Sequence, residues 1–336
     1  MSIWMPVLHE AVHQQLVRCL MNTWQNSAVT KFLGLDLGGT NIKIAVIEKI
    51  SDKWQIIKEE DVSSEAQHGP QHVVDRLANL AKENQQQFPD LAAVGVAVPG
   101  VFNADGTIEL FPNLPGPWKG FQALEPIRKA TNLPTAMIND ARAFTLAEAI
   151  MGAALGKKTV ACYVIGTGVG GGVVIDGKIH MGATRGAGEI AHQIVKADGP
   201  MCGCGTQGCA EPLTNSAAIA KLAGTKTAEE AYKNAVAGDA KALAAFKEVG
   251  FWIAIALTNI MAVLAPDTIV IGGGVAQSGD ILLNEIRAEM NKRANLFPKS
   301  AINVVPATLG FYAGSIGAAL NGAITAGAQL SLISTT

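Results

Sequence analysis

The chain has 336 residues, and its 26 lysines and arginines nearly balance its 28 aspartates and glutamates, for a formal net charge of −2. This balance provides neither the basic surface of a nucleic-acid-binding protein nor a polybasic membrane patch, so we expect no nucleic-acid or membrane partner. Hydrophobic residues make up 49% and charged residues 16%, which excludes a disordered chain, and the length predicts two domains.

The most apolar run and the N-terminal segment bear on location. Residues 251–265 are short for a membrane span and include Thr258 and Asn259, so they predict a buried core helix. The first 30 residues lack the apolar core and cleavage site of a signal peptide, and a four-residue apolar spacing predicts a short amphipathic helix there. Without an export signal or a disulfide framework, we expect a cytoplasmic protein.

The first half of the chain begins with a predicted hairpin. Apolar runs over 31–38 and 41–47 flank Gly38-Gly39-Thr40, and residues 54–57 predict a third strand. The patterns that follow predict a helix over 71–83, a strand over 93–98, a loop or irregular hairpin over 103–120, and a strand over 135–138 that leads into a helix ending near 154.

The second half repeats this opening. Predicted strands over 159–165 and 169–175 flank Gly166-Thr167-Gly168, as in the first hairpin. The later patterns predict helices over 215–222, 227–237 and 240–264, a strand over 268–271, a helix from 280, and a small-residue helix over 313–326. The pattern is typical of a mixed α/β fold built twice.

The first glycine turn has the residues of a phosphate site. Glycines at a hairpin tip let backbone N–H groups approach an anion. Asp36 could hold a magnesium ion through water, Thr40 offers a hydroxyl, and Lys43 adds a cation. A plain turn is the alternative, and the spacing is not that of a P-loop.

Two further glycine runs follow predicted strands. Residues 166–172 contain five glycines in seven positions, including a GxGxxG spelling. Because a strand rather than a helix follows, we reject a dinucleotide-binding motif and predict a second phosphate loop. Gly272-Gly273-Gly274 is a third such site, where a base or ribose could lie against the backbone. Three glycine loops at strand ends predict a nucleotide in a cleft.

Asn139-Asp140 stands at another predicted strand end, where ligands bind in α/β sheets. An aspartate there could take the proton from an attacking hydroxyl. The alternative is a helix N-cap, since both residue types are favoured at that position.

Three of the five cysteines, Cys202, Cys204 and Cys209, occupy eight positions. Their number and spacing disfavour disulfides, and His192, ten residues upstream, completes a Cys₃His set for a structural zinc. The metal would fold a glycine-rich loop and orient His192. Glu189 and Glu211 flank this site and could accept hydrogen bonds from sugar hydroxyls, or could be solvated surface carboxylates.

Eight segments together resemble the ROK family of sugar kinases and repressors, within the actin-like ATPase superfamily. They occur in family order over about residues 31–325 and read LGLDLGGTNIKIAV, GVAVPGVF, PNLPGPWKGF, IND, IGTGVGGGVVIDGKI, GEIAH, CGCGTQGCAE and VIGGGVA. The resemblance implies a two-lobed actin-like (ribonuclease H-like) α/β fold with nucleotide and sugar in the cleft between the lobes. It implies an extension over 1–30, a small lobe over 31–138 completed by 313–330, and a large lobe over 139–312 that carries the zinc loop.

The resemblance also implies residue roles. Asp140 would be the general base, and the sugar would be held by Asn113, Asn139, Asp140, Glu189, His192 and Glu211. ATP with Mg²⁺ would be bound by Asp36, Gly38, Gly39, Thr40, Asn41, Lys43, Gly166, Thr167, Gly168, Gly170, Gly273 and Gly274. One departure is Ala191, where the family usually has glycine before the zinc-ligand histidine.

The implied activity is ATP-dependent phosphorylation of a hexose 6-hydroxyl, with glucose as the favoured substrate. Fructokinase, N-acetylmannosamine kinase, allose kinase and a polyphosphate-using glucokinase are alternatives. A sugar-responsive repressor or a noncatalytic sensor is the competing class; a repressor would need a basic DNA-binding module before the first glycine loop. The family tends toward homodimers or higher homo-oligomers.

Overall fold

The computed structural model describes residues 30–50, 53–112 and 114–330. Its first five-stranded sheet has the order β3-β2-β1-β4-β7. The first three strands form an antiparallel meander, and the other two run parallel to β1. The strands are β1 (Thr30–Leu37), β2 (Asn41–Ile50), β3 (Lys53–Ser63), β4 (Leu91–Val98) and β7 (Thr135–Asn139).

The second sheet repeats this topology in the order β10-β9-β8-β11-β12. Again three antiparallel strands are followed by two parallel ones. The strands are β8 (Thr159–Ile165), β9 (Val169–Ile175), β10 (Lys178–Ile179), β11 (Thr268–Gly272) and β12 (Val304–Pro306). A small hairpin, β5 (Val101–Phe102) with β6 (Ile108–Leu110), stands apart from both sheets.

Helices cover both sheets. They are α1 (Pro70–Gln87), α2 (Leu124–Thr131), α3 (Asp140–Ile150), α4 (Glu211–Thr214), α5 (Ser216–Ala223), α6 (Ala228–Val236), α7 (Ala240–Leu264), α8 (Asp280–Arg293) and α9 (Ala313–Thr325). Helices α1 and α2 share a core with the outer face of the first sheet, and α5 to α8 share one with the outer face of the second. Helices α3 and α9 lie in a third core between the two sheets.

Strand periodicity explains these layers, because successive side chains point to opposite faces of a sheet. Leu33 and Leu35 belong to the outer core of the first sheet, whereas Phe32 belongs to the central core. The central layer is thin because glycines admit the backbone of α9. A Cβ added at Gly34 or Gly95 would overlap with the carbonyl oxygens of Ser315 or Ala318.

A buried carboxylate joins the two connections between the sheets. The chain passes from the first sheet to the second through α3, and returns from β12 to α9. Glu148 of α3 is fully buried and accepts hydrogen bonds from the backbone N–H groups of Thr308 (3.0 Å) and Leu309 (2.8 Å). It also accepts one from Ala153 N–H at 2.8 Å, so a single side chain fixes the ends of both connections.

The predicted strands and long helices are confirmed, and the differences are local. Strand β3 extends to Ser63 through the charged run 58–61, which has no apolar alternation and is held by pairing with β2. Helix α2 and strand β12 are absent from the sequence-based assignment because each is too short to show a period. The prediction for residues 1–30 falls outside the described residues except at Thr30, which begins β1.

Helix α7 is long and apolar enough, by length and composition, to cross a membrane. One side of the helix instead contributes apolar residues to the core under the second sheet, among them Ile253, Leu257 and Ile260. The prediction of a core helix over 251–265 is therefore confirmed.

Candidate active site

The polar and glycine-rich segments meet at the carboxyl ends of the parallel strands in both sheets. In the first sheet, Asp36 lies near the end of β1 and Asn139 ends β7. In the second sheet, Gly166 follows β8 and Gly272 ends β11. Ligands of open α/β sheets bind at such ends, so the topology gathers all three predicted glycine loops into one cleft.

Asp36 is a buried carboxylate with a cation, Lys43, close to it. It is 8% exposed, and Lys43 Nζ lies 3.4 Å from its Oδ2 atom. Burial raises the pKa of Asp36, and the charge and hydrogen bond of Lys43 oppose that rise. The same Lys43 Nζ lies 4.5 Å from the ring centroid of Phe311. An acidic group beside a cation at the hairpin is suited to a metal–phosphate complex.

The hairpin tip between β1 and β2 is fixed by a residue far along the chain. The backbone N–H of Ser64 donates to Thr40 O at 2.7 Å, and its hydroxyl donates to Gly39 O at 3.1 Å. Gly39 and Thr40 remain exposed. The side chain of Asn41 is engaged, since its Nδ2 donates to Asp61 Oδ2 at 2.6 Å. Nothing in the sequence near Ser64 indicates this role.

The structure assigns the helix N-cap to the first residue of the Asn139-Asp140 pair. Asn139 is the N-cap of α3, because its Oδ1 accepts from the N–H groups of Ala141 (3.1 Å) and Arg142 (3.3 Å). Asp140, one residue later, is thereby left with a solvent-accessible carboxylate in the cleft. One of its oxygens accepts from Ala141 N–H at 2.8 Å.

The surroundings of Asp140 raise its pKa to about 6. The largest cause is desolvation of the carboxylate by the surrounding protein, followed by the negative charges of Asp36 and Glu189. The Ala141 N–H bond and the charge of Lys43 lower it in part. A carboxylate with a pKa close to neutrality is a better proton acceptor than an ordinary aspartate and is still ionised at pH 7.

The glycines of the second hairpin divide into two groups. Gly166 and Gly168 form the tip, where Gly166 N–H donates to Gly168 O at 2.8 Å. The next three are strand residues of β9: an added Cβ at Gly170 would lie 2.6 Å from Ala141 Cβ, and one at Gly172 would lie 2.5 Å from Thr145 Oγ1. Gly171 packs equally closely against Ile190. These three glycines therefore have a packing role between β9 and its neighbours.

A cavity of about 760 Å³ opens beside this tip, within the usual range for small-molecule sites. Gly166, Thr167 and Gly274 are among the residues that line it. Gly273 has φ +84°, and an added Cβ would overlap with the backbone of Ile165, so only glycine fits there. Sequence reasoning missed other lining residues, which resemble ordinary helix surface: Ser216, Lys226, Tyr232, Lys233 and Gln277.

The four predicted zinc ligands converge. The ligand atoms of His192, Cys202, Cys204 and Cys209 all lie within 4.8 Å of one another. His192 Nδ1 is 3.6 Å from Cys202 Sγ, and the Sγ atoms of Cys204 and Cys209 are 3.7 Å apart. Zn–S bonds of about 2.3 Å in a tetrahedron require Sγ–Sγ edges of about 3.8 Å, so these separations suit a closed zinc site.

Both predicted sugar-contacting glutamates lie beside this cluster. Glu211 Oε1 accepts from Val169 N–H at 3.1 Å, and its Oε2 lies 3.1 Å from Cys202 Sγ. Glu211 thus joins the glycine hairpin to the cysteine loop. Glu189 is half exposed and pairs with Arg142, a buried residue of α3 that sequence reasoning missed. Asn113 lies outside the described residues.

The profile of the ROK family matches residues 32–321, which is most of the chain. The chain belongs to the ROK family. Sequence relatives include a glucokinase of Halalkalibacterium halodurans, 32% identical over 85% of this chain and 93% of the relative. An N-acetylgalactosamine kinase of Shewanella sp. strain ANA-3 is also 32% identical, over 75% of this chain and 84% of the relative. Xylose repressors are further relatives.

Solved structures agree on the fold. A ROK hexokinase from Thermus thermophilus has a TM-score of 0.77 and 31% identity, covering 88% of this chain and 98% of its own. A ROK glucokinase from Streptomyces griseus in complex with glucose and AMPPNP has a TM-score of 0.71 and 27% identity, covering 88% and 99%. The protein therefore has the two-lobed actin-like ATPase fold and is a sugar phosphotransferase, as the sequence predicts.

Proposed function

We propose that the protein transfers the γ-phosphoryl group of ATP to the 6-hydroxyl of a hexose, and that glucose is the preferred hexose. The observation that carries this proposal is Asp140, an accessible carboxylate with a pKa of about 6 between the two glycine hairpins. The relatives named as glucokinases, and the similar structure in complex with glucose and AMPPNP, support the choice of substrates.

In the proposed reaction, Asp140 accepts the proton of the sugar 6-hydroxyl as its oxygen attacks the γ-phosphorus. The bond between that phosphorus and the β–γ bridging oxygen breaks, and ADP leaves. Positioning and charge stabilisation do most of the work in such transfers. The backbone at Gly38–Asn41 and Gly166–Gly168 would approach the phosphates, with Lys43 as the nearby cation. Mg²⁺, which Asp36 would hold through water, would neutralise phosphate charge.

The remaining residues would orient the substrates. Asn113, Asn139, Glu189, His192 and Glu211 are the proposed sugar contacts. The cavity lined by Gly274 would take adenosine, with Gly273 beside it. A zinc ion bound by His192 and the three cysteines would fix the loop that carries them and aim the free histidine nitrogen at a sugar hydroxyl. We also propose a homodimer or higher homo-oligomer without a nucleic-acid partner.

The test is ADP release by the purified protein with Mg-ATP and one sugar at a time: glucose, mannose, fructose, allose, N-acetylmannosamine, N-acetylglucosamine and N-acetylgalactosamine. We expect the largest kcat/KM with glucose. A larger value with another sugar would keep the mechanism and refute the substrate. Turnover with polyphosphate instead of ATP would refute the donor, and binding of sugar without turnover with either donor would refute the kinase assignment.

A further inference from the structure

Arg142 is a buried cation close to the proposed general base. Its side chain is 5% exposed, and it lies two residues after Asp140 in the first turn of α3. The guanidinium Nη2 donates to Glu189 Oε1 at 2.9 Å, and Nε donates to Ala187 O at 3.0 Å. Because a guanidinium stays charged in proteins, burial of this group requires partners, and Glu189 is the acidic one found among the described residues.

The backbone of the Glu189 loop has contacts other than the one that Arg142 makes with Ala187 O. Gly188 has φ +91°, and an added Cβ would lie 2.9 Å from Gly172 Cα, so the loop rests directly on β9. After Glu189, the N–H of His192 donates to Glu189 O at 3.1 Å, which ties the loop to the zinc-ligand residues. The contact of Arg142 with Glu189 therefore chiefly determines where the carboxylate side chain lies.

The same pair leaves part of Glu189 available. Glu189 is 47% exposed at its side chain, and within the described residues no hydrogen bond to its Oε2 atom is found. An ion pair is also weak evidence of stabilisation, since exposed pairs contribute little and buried pairs can often be replaced by apolar residues without loss. A guanidinium that holds one carboxylate oxygen of a half-exposed side chain, with the other oxygen accessible to a ligand, has the form of a positioning device.

We propose that Arg142 is a positioning residue for the sugar: it holds Glu189 so that the free carboxylate oxygen meets a hexose hydroxyl. This inference rests on the proposed role of Glu189 as a sugar contact. It assigns to α3 two tasks, since the helix that carries the base Asp140 also holds the carboxylate that orients the substrate. Loss of Arg142 then weakens sugar binding selectively and leaves the nucleotide end of the cleft unchanged.

The test is a double-mutant cycle with R142M, E189Q and the double variant. Hexose KM is measured at saturating Mg-ATP and ATP KM at saturating hexose. Hexose binding without nucleotide is measured by calorimetry on the same proteins. We expect R142M to weaken hexose binding about 10- to 100-fold, the size of a lost charge-assisted hydrogen bond, with the ATP KM within about twofold of wild type. R142K, which keeps the charge but loses the two-pronged geometry, should fall between.

The double variant is decisive, because residues that act through one another are not additive. If Arg142 acts through Glu189, R142M/E189Q binds hexose about as weakly as E189Q alone. The proposal would be overturned if the losses of hexose affinity in the two single variants multiplied in the double variant. It would also be overturned if R142M weakened hexose and ATP binding equally. R128M is the matched control. Arg128 lies on α2, and its Nη2 likewise donates to a backbone oxygen, that of Thr135.

The same variants distinguish a failure of the Arg142 proposal from misfolding and from a failure of the kinase proposal. Thermal unfolding and zinc content are measured for each variant, and R142K replaces R142M in the cycle if R142M does not fold. Wild-type protein that binds hexose without turnover would refute the kinase proposal, while the binding cycle would still decide the role of Arg142. Unchanged hexose binding in a folded R142K would overturn that role.

Discussion

The two hairpins that face the cleft occupy equivalent positions in two sheets of the same topology, yet they differ in chemistry. The first brings a buried carboxylate, Asp36, and a cation, Lys43, and its tip is fixed by hydrogen bonds from Ser64. The second, residues 159–175, has no charged side chain, and three of its glycines bring β9 against neighbouring elements. Of these two equivalent hairpins, the first therefore supplies charge and the second supplies shape.

The largest expected effect is at Asp140, whose carboxylate is influenced by the charges of Asp36 and Lys43 in the first hairpin. Asp140→Asn keeps the size of the side chain and removes the proton acceptor, so kcat should fall about 10²- to 10⁴-fold. Hexose affinity measured by calorimetry should stay within a few fold, because Asn retains hydrogen-bonding capacity. Retention of full turnover would show that another group accepts the proton.

The next effect tests whether the second half needs a metal at the Cys₃His cluster. Cys209→Ser, or removal of zinc with a chelator, should lower the melting temperature and weaken hexose binding, since the loop of residues 202–209 has little apolar burial of its own. Zinc content is measured by atomic emission. Cys162→Ser is the matched control, because this buried cysteine lies in the central core and outside the cluster. A zinc-free protein with undiminished hexose affinity would contradict the structural-zinc assignment.

A smaller effect separates the two glycine groups of the second hairpin. Gly172→Ala forces a methyl group to 2.5 Å from Thr145 Oγ1 and should cost about 1–3 kcal/mol in the free energy of unfolding. Gly166→Ala meets nothing closer than 3.8 Å and should change stability little. Urea unfolding of both variants measures the difference. Equal stability of the two would show that β9 can shift to admit a side chain.

The smallest effect is on pH dependence. Asp140 accepts a proton only when ionised, so kcat/KM should rise with pH through about 6 and level off above it. Glu189 contributes to the raised pKa through its negative charge, after burial and Asp36. Glu189→Gln removes that charge, lowers the pKa of Asp140, and should move the acid limb to lower pH. If the acid limb of the kcat/KM profile stays at the same pH or moves to higher pH in this variant, Glu189 does not act on Asp140 through its charge.

The sequence by itself determined the features that depend on neighbours in the chain. The two hairpins are predicted by apolar runs over 31–38, 41–47, 159–165 and 169–175. Strand period and turn residues can be recognised within a few positions of the chain. The Cys₃His set is equally local, since its four members span 18 positions from His192 to Cys209. The motif order identified the family and, with it, the fold and the class of reaction.

Only the tertiary structure decided how distant side chains combine. Arg142 and Glu189 are 47 positions apart, and Ser64 reaches Gly39 from 25 positions away. No local pattern marks either residue, because a buried arginine and a surface arginine look the same in sequence. The packing role of Gly170 and Gly172 likewise depends on α3 lying against β9. Periodicity fixes which face of an element is buried, but the partner on that face is set by the packing of the whole chain.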